Sequence, residues 1–237
     1  MKVESVDGLN IKDIPTISVI ICTLNEEESL PLVLPKIPEY VHEIILVDGH
    51  SADRTVEVAQ RLRPDIKVLF QAGQGKGEAL RCGFQNAEGD IIVTLDADGT
   101  TDPADMDKFI EPLLQGYDFI KGSRFRGRLP EGMPRHRIFG NILLASAASL
   151  VFFRPLTDIC SGYVAFWKRE LPRLGFLEPG SPYDVESVFC FRAIKRGLRL
   201  KEVGHQDKGR IAGKSKMPSF REGWNNLKII LEERIKR

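Results

Sequence analysis

The sequence predicts an α/β fold, with an open, mainly parallel sheet flanked by helices in a single domain of residues 1–237. Three observations support this prediction. Strand-like and helix-like segments alternate through the first half of the chain, its 237 residues fit one large domain, and no repeat or low-complexity linker divides it. Because strands separated by helices are joined by right-handed crossovers, we expect most strands to run parallel.

The first half of the chain supplies five predicted strands and four predicted helices. Residues 16–22 are apolar and β-branched, as expected of a strand buried on both faces. Acidic residues at 26–28 favour a helix start, and Ser51 or Asp53 is placed to cap the next helix. The predicted strands are 16–22, 43–47, 67–70, 90–95 and 118–121, and the predicted helices are 26–34, 53–63, 77–87 and 102–114.

The second half is less regular. Two segments, 122–134 and 210–218, are rich in glycine or basic residues and predict loops. The remaining segments predict strands at 164–167 and 199–203 and helices at 138–153, 185–196 and 224–237. Residues 1–15 are polar, lack the core of a signal peptide and are interpreted as an N-terminal extension.

The predicted helix at 138–153 could meet a membrane. Its sixteen residues carry no charge, and Arg137 and Arg154 flank it. Because about 20 apolar residues are needed to span a bilayer, we expect no transmembrane helix. Two alternatives follow for this helix: it is buried in the core, or it lies at the membrane surface, where the flanking arginines suit anionic headgroups.

Composition and charge exclude several classes of protein. A net charge of +1 gives no basis for a nucleic-acid partner, and 42% hydrophobic with 28% charged residues is typical of a globular protein. The four cysteines are widely spaced, which argues against structural zinc and against a disulfide framework. These features predict a cytoplasmic protein.

The triplet Asp96-Ala97-Asp98 is the most informative feature of the chain. It directly follows the predicted strand 90–95, and open α/β sheets bind ligands at the carboxyl ends of their strands. Two carboxylates placed in this way suit a divalent cation, Mg²⁺ or Mn²⁺, whose coordination substrate phosphates complete. The alternative interpretation is a turn, since an Asp-Gly pair such as Asp98-Gly99 is common in turns.

Polar residues that follow two other predicted strands converge on the same edge. Residues 23–26 follow the first strand, and Asp48, after the second strand, is suited to accept hydrogen bonds from a ribose or a base. Lys76 lies in the glycine-rich segment 73–77, which lacks the nucleotide-triphosphate loop pattern but can bring a cation to a phosphate.

Two clusters of basic residues predict binding of phosphate groups. Guanidinium groups bind phosphate oxygens in a bidentate fork, and two such clusters beside a carboxylate-held cation suit a reaction between two phosphorylated partners. The alternative is a solvated basic surface. The clusters contain Arg124, Arg126, Arg128, Arg135 and Arg137, and then Arg210, Lys214 and Lys216.

Taken together, these motifs resemble those of the family 2 glycosyltransferases with a GT-A fold. Among them they are most similar to the polyprenyl-phosphate sugar transferases, such as the dolichyl-phosphate mannose synthases. The resemblance extends over most of the chain, from about residue 17 to residue 217, and rests on the order and spacing of its parts. These parts are residues 23–26, 47–55, 96–98, 122–124, 158–162, 210 and 213–216.

The resemblance implies a set of site residues. Asp96, Asp98 and Arg124 would be catalytic, and Asp98 would hold the metal. Arg124, Arg137 and Asn141 would bind the acceptor phosphate. The nucleotide-sugar donor would contact Thr23, Asn25, Glu26, Asp48, Lys76, Asp96, Ala97, Asp98, Arg210 and Lys216.

The resemblance also implies a reaction, the inverting, metal-dependent transfer of a sugar to a dolichyl or other polyprenyl phosphate. The first expectation for the sugar is mannose, with GDP-mannose as the donor. The enzyme would bind peripherally to the cytoplasmic face of a membrane. Relatives often carry an amide side chain two residues after the triplet, where this chain has Thr100, so the donor and the complete metal site stay open.

Three alternatives remain at this point. In the first alternative, the donor is UDP-glucose and not GDP-mannose. In the second, the acceptor is a sugar hydroxyl, for which Asp184 or Glu186 would serve as base. The third alternative, from a different class, is a non-catalytic module that binds nucleotide sugars.

Overall fold

The computed structural model describes residues 15–127, 130–175, 185–210 and 219–236. Within these ranges, seven strands form one sheet in the order β3-β2-β1-β4-β6-β5-β7. The strands are β1 Ile17–Thr23, β2 Glu43–Asp48, β3 Lys67–Phe70, β4 Ile91–Asp96, β5 Phe119–Ser123, β6 Val164–Trp167 and β7 Leu200–Gly204.

The helices lie close to their predicted positions. The predicted helix 26–34 is reduced to Leu30–Val33, because residues 27–29 form a turn, in which the Ser29 and Leu30 amides both donate to Glu26 O, and a 3-10 helix follows at Leu34. The helix predicted at 102–114 begins later, at Asp107, and the one predicted at 224–237 begins earlier, at Ser219. The helices are α1 Leu30–Val33, α2 Thr55–Leu62, α3 Lys76–Asn86, α4 Asp107–Leu114, α5 Arg135–Phe152, α6 Leu171–Leu174, α7 Val185–Lys195 and α8 Ser219–Ile235.

Both faces of the sheet are covered, as the apolar strands predict. Successive side chains of a strand point to opposite faces. Ile20 of β1 therefore packs in a core with residues of α3, α5, α7 and α8. Its neighbours Val19 and Ile21 pack in a second core with residues of α1, α2 and α4. This double coverage confirms the predicted α/β architecture.

One strand is reversed, which the alternation of segments did not reveal. Strand β6 runs antiparallel to both β4 and β5, whereas β1, β2, β3 and β4 are joined by parallel pairs, as are β5 and β7. The sheet is thus mixed but mainly parallel. The amino end of β6 lies at the same edge as the carboxyl ends of β1, β4, β5 and β7, so the segment 158–162 reaches that edge as well.

The apolar segment 138–153 forms most of α5 and matches the expected core helix on one face only. Ala145, Ala148 and Phe152 are buried against the protein. On the other face, Phe139 is 70% exposed and Leu150 is 76% exposed. Of the two alternatives, full burial in the core does not hold, because only the stripe of α5 that packs against the protein, including α7 and α8, is buried. Contact of the other face with a membrane stays a prediction.

Candidate active site

A cleft of ≈ 1110 Å³ lies at the edge of the sheet where the strand ends meet. One wall comes from the ends of β1 and β4 and the start of α3, and the opposite wall comes from α5 and α8. The cleft brings together most of the predicted site residues. These are Thr23, Glu26, Lys76, Asp96, Ala97, Asp98, Arg124, Arg137, Asn141 and Arg210.

Asp96, the last residue of β4, is held by an ammonium group. Lys76 Nζ lies 2.5 Å from Asp96 Oδ1 and 2.5 Å from Glu186 Oε1, so one cation bridges two carboxylates. A Cβ atom at Gly162 would overlap with the Asp96 carboxylate, so only glycine allows this approach. The segment that leads into the reversed strand β6 thus packs directly against Asp96.

This charge cluster shifts the pKa of its members. Burial by itself would lower the pKa of Lys76, but the carboxylates of Asp96 and Glu186 outweigh it and raise that pKa well above 10.5. Burial would likewise raise the pKa of Asp96, yet the neighbouring Lys76 holds it below its usual value of 3.8. Lys76 is therefore protonated and Asp96 ionised at neutral pH.

Asp98 is held differently from Asp96. Its Oδ1 accepts hydrogen bonds from the Thr100 hydroxyl at 2.6 Å and from the Thr100 amide at 3.1 Å. Its Oδ2 lies 3.6 Å from Arg210 Nη2, which also lies 2.5 Å from Glu26 Oε1. Arg210 thereby joins the segment after β7 to the acidic residues that follow β1 and β4.

Asn25 and Asp48 do not line the cleft; they brace the loops beside it. The buried Asp48 carboxylate accepts hydrogen bonds from the Thr23 hydroxyl at 3.0 Å and from the Ser51 amide at 2.7 Å. Asn25 adopts a left-handed backbone with φ 57 and accepts a hydrogen bond from Ala52 N at 2.7 Å. Direct contact of these two residues with a nucleoside stays a prediction.

Arg124 forms a bidentate pair with Asp158. Its Nε donates to Asp158 Oδ2 at 2.7 Å and its Nη2 donates to Oδ1 at 2.9 Å. The Asp158 side chain is completely buried, and that of Arg124 is 15% exposed. Burial would raise the pKa of Asp158, but the Arg124 guanidinium outweighs it and lowers that pKa to about 2. Arg124 therefore reaches the cleft from a fixed position.

The two residues of α5 that were predicted to bind the acceptor line the same cleft, and their contact with a phosphate stays a prediction. Arg137 and Asn141 are four residues apart and so lie on the same side of the helix, at its amino-terminal end. Both are half-buried, and Asn141 Nδ2 lies 3.7 Å from the sulfur of Met133. A phosphate in this part of the cleft would meet Arg124 from the sheet and Arg137 from α5.

The acidic residues fit a hard divalent cation that shares its coordination with a substrate. Among the described residues, no group of three or more His, Cys, Asp or Glu side chains is arranged to hold a metal ion. Mg²⁺ does not need such a group, because it commonly takes one or two carboxylates together with substrate phosphates. Asp98, with a carboxylate 22% exposed to the cleft, meets this requirement, and Asp96 stands nearby.

Some predicted residues lie outside the described residues, and some structural partners were not predicted. Arg128, Asp184, Lys214 and Lys216 belong to the first group. Asp158 and Gly162 belong to the second, although both fall in the motif 158–162 on which the resemblance partly rests. The contact between Glu186 and Lys76 had no signal in the sequence, since the two residues are far apart in the chain.

Comparison with known protein sequences agrees with this geometry. The model of the family described as glycosyl transferase family 2 matches residues 18–174. A dolichyl-phosphate hexose transferase of Haloferax volcanii is 31% identical over 227 residues, which are 93% of this chain and 96% of that protein. Glycosyltransferase AglJ of the same organism is 30% identical over 76% of this chain, and the match spans 59% of the length of AglJ.

Solved structures show the same fold. Glucosyl-3-phosphoglycerate synthase from Mycobacterium tuberculosis, in complex with Mn²⁺, uridine diphosphate and glucosyl-3-phosphoglycerate, superposes with a TM-score of 0.71. It is 23% identical in sequence, and the match covers 93% of this chain and 80% of that one. At this level of identity the likeness concerns the fold, which is the GT-A fold expected from the sequence.

Proposed function

Because this chain belongs to glycosyl transferase family 2 and is a glycosyltransferase, we propose that it transfers a hexose from a nucleotide sugar to a polyprenyl monophosphate. We take GDP-mannose as the first donor to test and UDP-glucose as the alternative. The name of the dolichyl-phosphate hexose transferase, matched over nearly the whole of both chains, supports the choice of acceptor.

The observation that carries the proposal is that carboxylates and guanidinium groups line one cleft. Glu26, Asp96 and Asp98 lie at or just after the ends of β1 and β4, where they suit a cation-bound diphosphate. Arg124 and Arg137 lie in the same cleft and suit a second, anionic substrate. A transferase acting between two phosphorylated substrates needs both kinds of surface.

A phosphate acceptor also removes the need for a strong base. The second pKa of a phosphate monoester is about 6, so much of the acceptor is dianionic at neutral pH. One of its oxygens forms the bond to the anomeric carbon while the bond from that carbon to the diphosphate oxygen breaks, which inverts the configuration. The leaving group is the nucleoside diphosphate.

The residues of the cleft would mainly position the substrates. Arg124, fixed by Asp158, and Arg137 would orient the acceptor phosphate, and Arg210 would approach the diphosphate of the donor. A divalent cation held by Asp98 would neutralise charge on the leaving diphosphate.

Exposed apolar side chains of α5 and α8 support a location at a membrane surface. The two helices contact each other. No helix in the described part of the chain is long and apolar enough to cross a bilayer. Leu143 of α5 and Trp224 of α8 line the cleft and are 60% and 71% exposed. This apolar surface consists of Phe139, Ile142, Leu143, Leu150, Phe153, Trp224, Leu231 and Ile235.

Basic residues border the apolar surface. Arg135 is exposed at the start of α5, and the guanidinium of Arg234 lies 5.8 Å from the ring centroid of Phe153. Apolar burial combined with attraction to anionic headgroups gives reversible binding at the membrane interface. We therefore propose that this surface faces the bilayer, where the lipid acceptor resides.

Removing two of these side chains is expected to weaken membrane binding. The double change Phe139→Ser and Leu150→Ser should lower partitioning onto vesicles of phosphatidylcholine and phosphatidylglycerol by at least about tenfold, since each apolar side chain contributes roughly 1.5 kcal/mol or more when buried. Vesicle sedimentation measures this. Leu114→Ser, at a 58% exposed leucine of α4, is the matched control. Equal losses for both proteins would contradict the proposal.

The function itself is tested by transfer of radiolabelled sugar to a polyprenyl phosphate. We expect product with GDP-mannose or with UDP-glucose, dependent on the lipid phosphate and on Mg²⁺ or Mn²⁺. In the same assay Arg137→Gln should raise the KM for the lipid by about tenfold or more while the KM for the donor stays constant, because a charge-assisted hydrogen bond is lost. Transfer only to a sugar hydroxyl would refute the proposed acceptor.

A further inference from the structure

Helix α8 presents a buried amide side chain to the cleft. Asn226 lies near the middle of the helix, is 4% exposed and lines the cleft together with Gly223, Trp224 and Leu227. The proposed reaction gives this side chain no role. Asparagine is a weak helix former, so neither helix propensity nor contact with solvent explains an asparagine at this position.

The buried stripe of α8 does not need an amide at Asn226. Ile229 and Ile230, three and four residues further along the same side of the helix, are buried in the core. Glu233, another polar residue of this stripe, has a partner, because Arg192 Nε donates to its carboxylate at 3.2 Å. An apolar side chain in place of Asn226 would continue the stripe.

The amide of Asn226 has one weak contact. Its Nδ2 donates to the sulfur of Cys160 at 3.7 Å, and its buried Oδ1 has no hydrogen-bond partner among the described residues. A thiol sulfur is a weak acceptor, so the amide lacks a strong hydrogen bond at either atom. A buried polar atom without a partner destabilises the fold, which points to a ligand that completes its hydrogen bonds.

The contact with Cys160 brings Asn226 towards the arginine that was predicted to bind the acceptor phosphate. Cys160 N donates to Asp158 Oδ1 at 2.9 Å, and the same oxygen accepts a hydrogen bond from Arg124 Nη2 at 2.9 Å. Helix α8 also packs against α5, which carries Arg137. A phosphate bound between the two arginines would therefore have α8 as its third neighbour.

An amide can adapt to a phosphate ligand by a rotation of its end group. Turning the Asn226 amide by 180° exchanges its oxygen and nitrogen, so that the Cys160 thiol donates to Oδ1 and Nδ2 becomes the atom without a protein partner. The oxygens of an ionised phosphate accept hydrogen bonds, and bonds to a charged acceptor are stronger than neutral ones. In this orientation a phosphate completes the hydrogen bonds of the amide.

We propose that Asn226 donates a hydrogen bond to the phosphate of the lipid acceptor, so that α8 closes the third side of a site formed with Arg124 and Arg137. This inference rests on the proposed function in one respect, the phosphorylated acceptor. It adds a binding residue from a helix in which the sequence predicted no site residue. The protein keeps an amide here, although an apolar side chain would suit the fold better, because the amide binds substrate.

The first test compares a soluble polyprenyl monophosphate, farnesyl phosphate, with the nucleotides GDP and UDP. Their binding is measured by calorimetry for the wild type, Asn226→Leu and Asn226→Asp. Asn226→Leu should bind farnesyl phosphate roughly 10- to 100-fold more weakly, as expected for a lost hydrogen bond to a charged group. Asn226→Asp should lose about 100-fold or more, because a carboxylate of the same shape repels the phosphate. Binding of both nucleotides should stay within about twofold.

Thermal melting separates substrate binding from a structural role. Asn226→Leu replaces an unpartnered amide by an apolar side chain of similar volume, so its Tm should equal that of the wild type or exceed it by up to about 4 °C. A lower Tm together with equal weakening of farnesyl phosphate and nucleotide binding would show that Asn226 serves the packing, and would overturn the inference. If Asn226→Leu fails to fold, the isosteric Asn226→Asp provides the binding test.

Asn225 provides the matched controls. It precedes Asn226 in α8, is exposed and does not line the cleft. Asn225→Leu and Asn225→Asp make the same changes in hydropathy and charge and should bind all three compounds within about twofold of the wild type. Equal weakening of farnesyl phosphate binding by the variants at both positions would show that the contact of Asn226 with the phosphate is not the cause, which overturns the inference.

The remaining results distinguish this inference from the proposed function. Weaker nucleotide binding with unchanged farnesyl phosphate binding would assign Asn226 to the donor, and unchanged binding of all compounds would leave it without a ligand; either result overturns the inference. Selective weakening of farnesyl phosphate binding, in a protein whose wild type transfers no sugar to a polyprenyl phosphate, would refute the proposed function and support the phosphate contact. A wild-type protein that binds no farnesyl phosphate would overturn both.

Discussion

Asp98→Ala is expected to lower kcat/KM for sugar transfer by at least about 10³-fold, equivalent to about 4 kcal/mol of transition-state stabilisation. The Asp98 carboxylate is the cleft-facing group best placed to hold a cation against the leaving diphosphate, because Thr100 fixes one of its oxygens and leaves the other towards Arg210. Steady-state kinetics over a range of Mg²⁺ or Mn²⁺ concentrations measures the loss.

The control for this variant is Asp105→Ala. Asp105 lies in the same loop region, but its carboxylate pairs with Lys108 Nζ at 2.7 Å and does not line the cleft. Removing it should change kcat/KM by less than about threefold, as expected of a surface pair. Substantial metal-dependent turnover by Asp98→Ala would remove the triplet 96–98 from its proposed role.

The second large effect is expected on stability. Asp158→Asn should reduce the free energy of unfolding by about 3–5 kcal/mol, because it leaves the Arg124 guanidinium buried without its counter-charge. The Asp158 carboxylate also accepts hydrogen bonds from the amides of Arg124 and Cys160, at 3.1 Å and 2.9 Å. Chemical denaturation of both proteins measures the difference.

The chain contains a matched exposed pair. Arg199 binds Asp118 with the same bidentate geometry, at 3.1 Å and 3.0 Å, and its backbone amide also donates to Asp118. The Arg199 side chain is 65% exposed, so Asp118→Asn should cost no more than about 1 kcal/mol. Similar losses for both variants would show that burial of the Arg124–Asp158 pair is unimportant.

The same pair predicts the dependence on pH. The pKa of Asp158 is lowered from 3.8 to about 2 on folding, so its stabilising contribution is complete above the unfolded value and is lost as the pH falls through the folded value. The difference in unfolding free energy between the wild type and Asp158→Asn should therefore shrink as the pH falls from 3.8 towards 2. A difference that stays constant over this interval would contradict the assignment.

The strands and the position of the triplet 96–98 could be predicted because the pattern that indicates them lies in consecutive residues. A β-branched apolar run such as the one that forms β1 is stable only as a buried strand, and the parallel crossovers bring the strand ends to one edge. Because those strand ends lie at one edge, the side chains that follow them line one cleft. These side chains are Thr23, Glu26, Asp96 and Asp98. Motif order indicated the family for the same reason, since each motif within the described residues lies at a strand end or in an adjoining segment.

Contacts between distant segments were decided only in the tertiary structure. The direction of β6 depends on its partners β4 and β5, and no pattern within Val164–Trp167 reveals it. The pairing of Lys76 with Asp96 and Glu186 likewise requires α3, β4 and α7 to be in place. The one-sided burial of α5 depends on what packs against it. Local propensity determines which elements form, whereas strand direction, charge pairing and exposure are set by packing between elements that are remote in sequence.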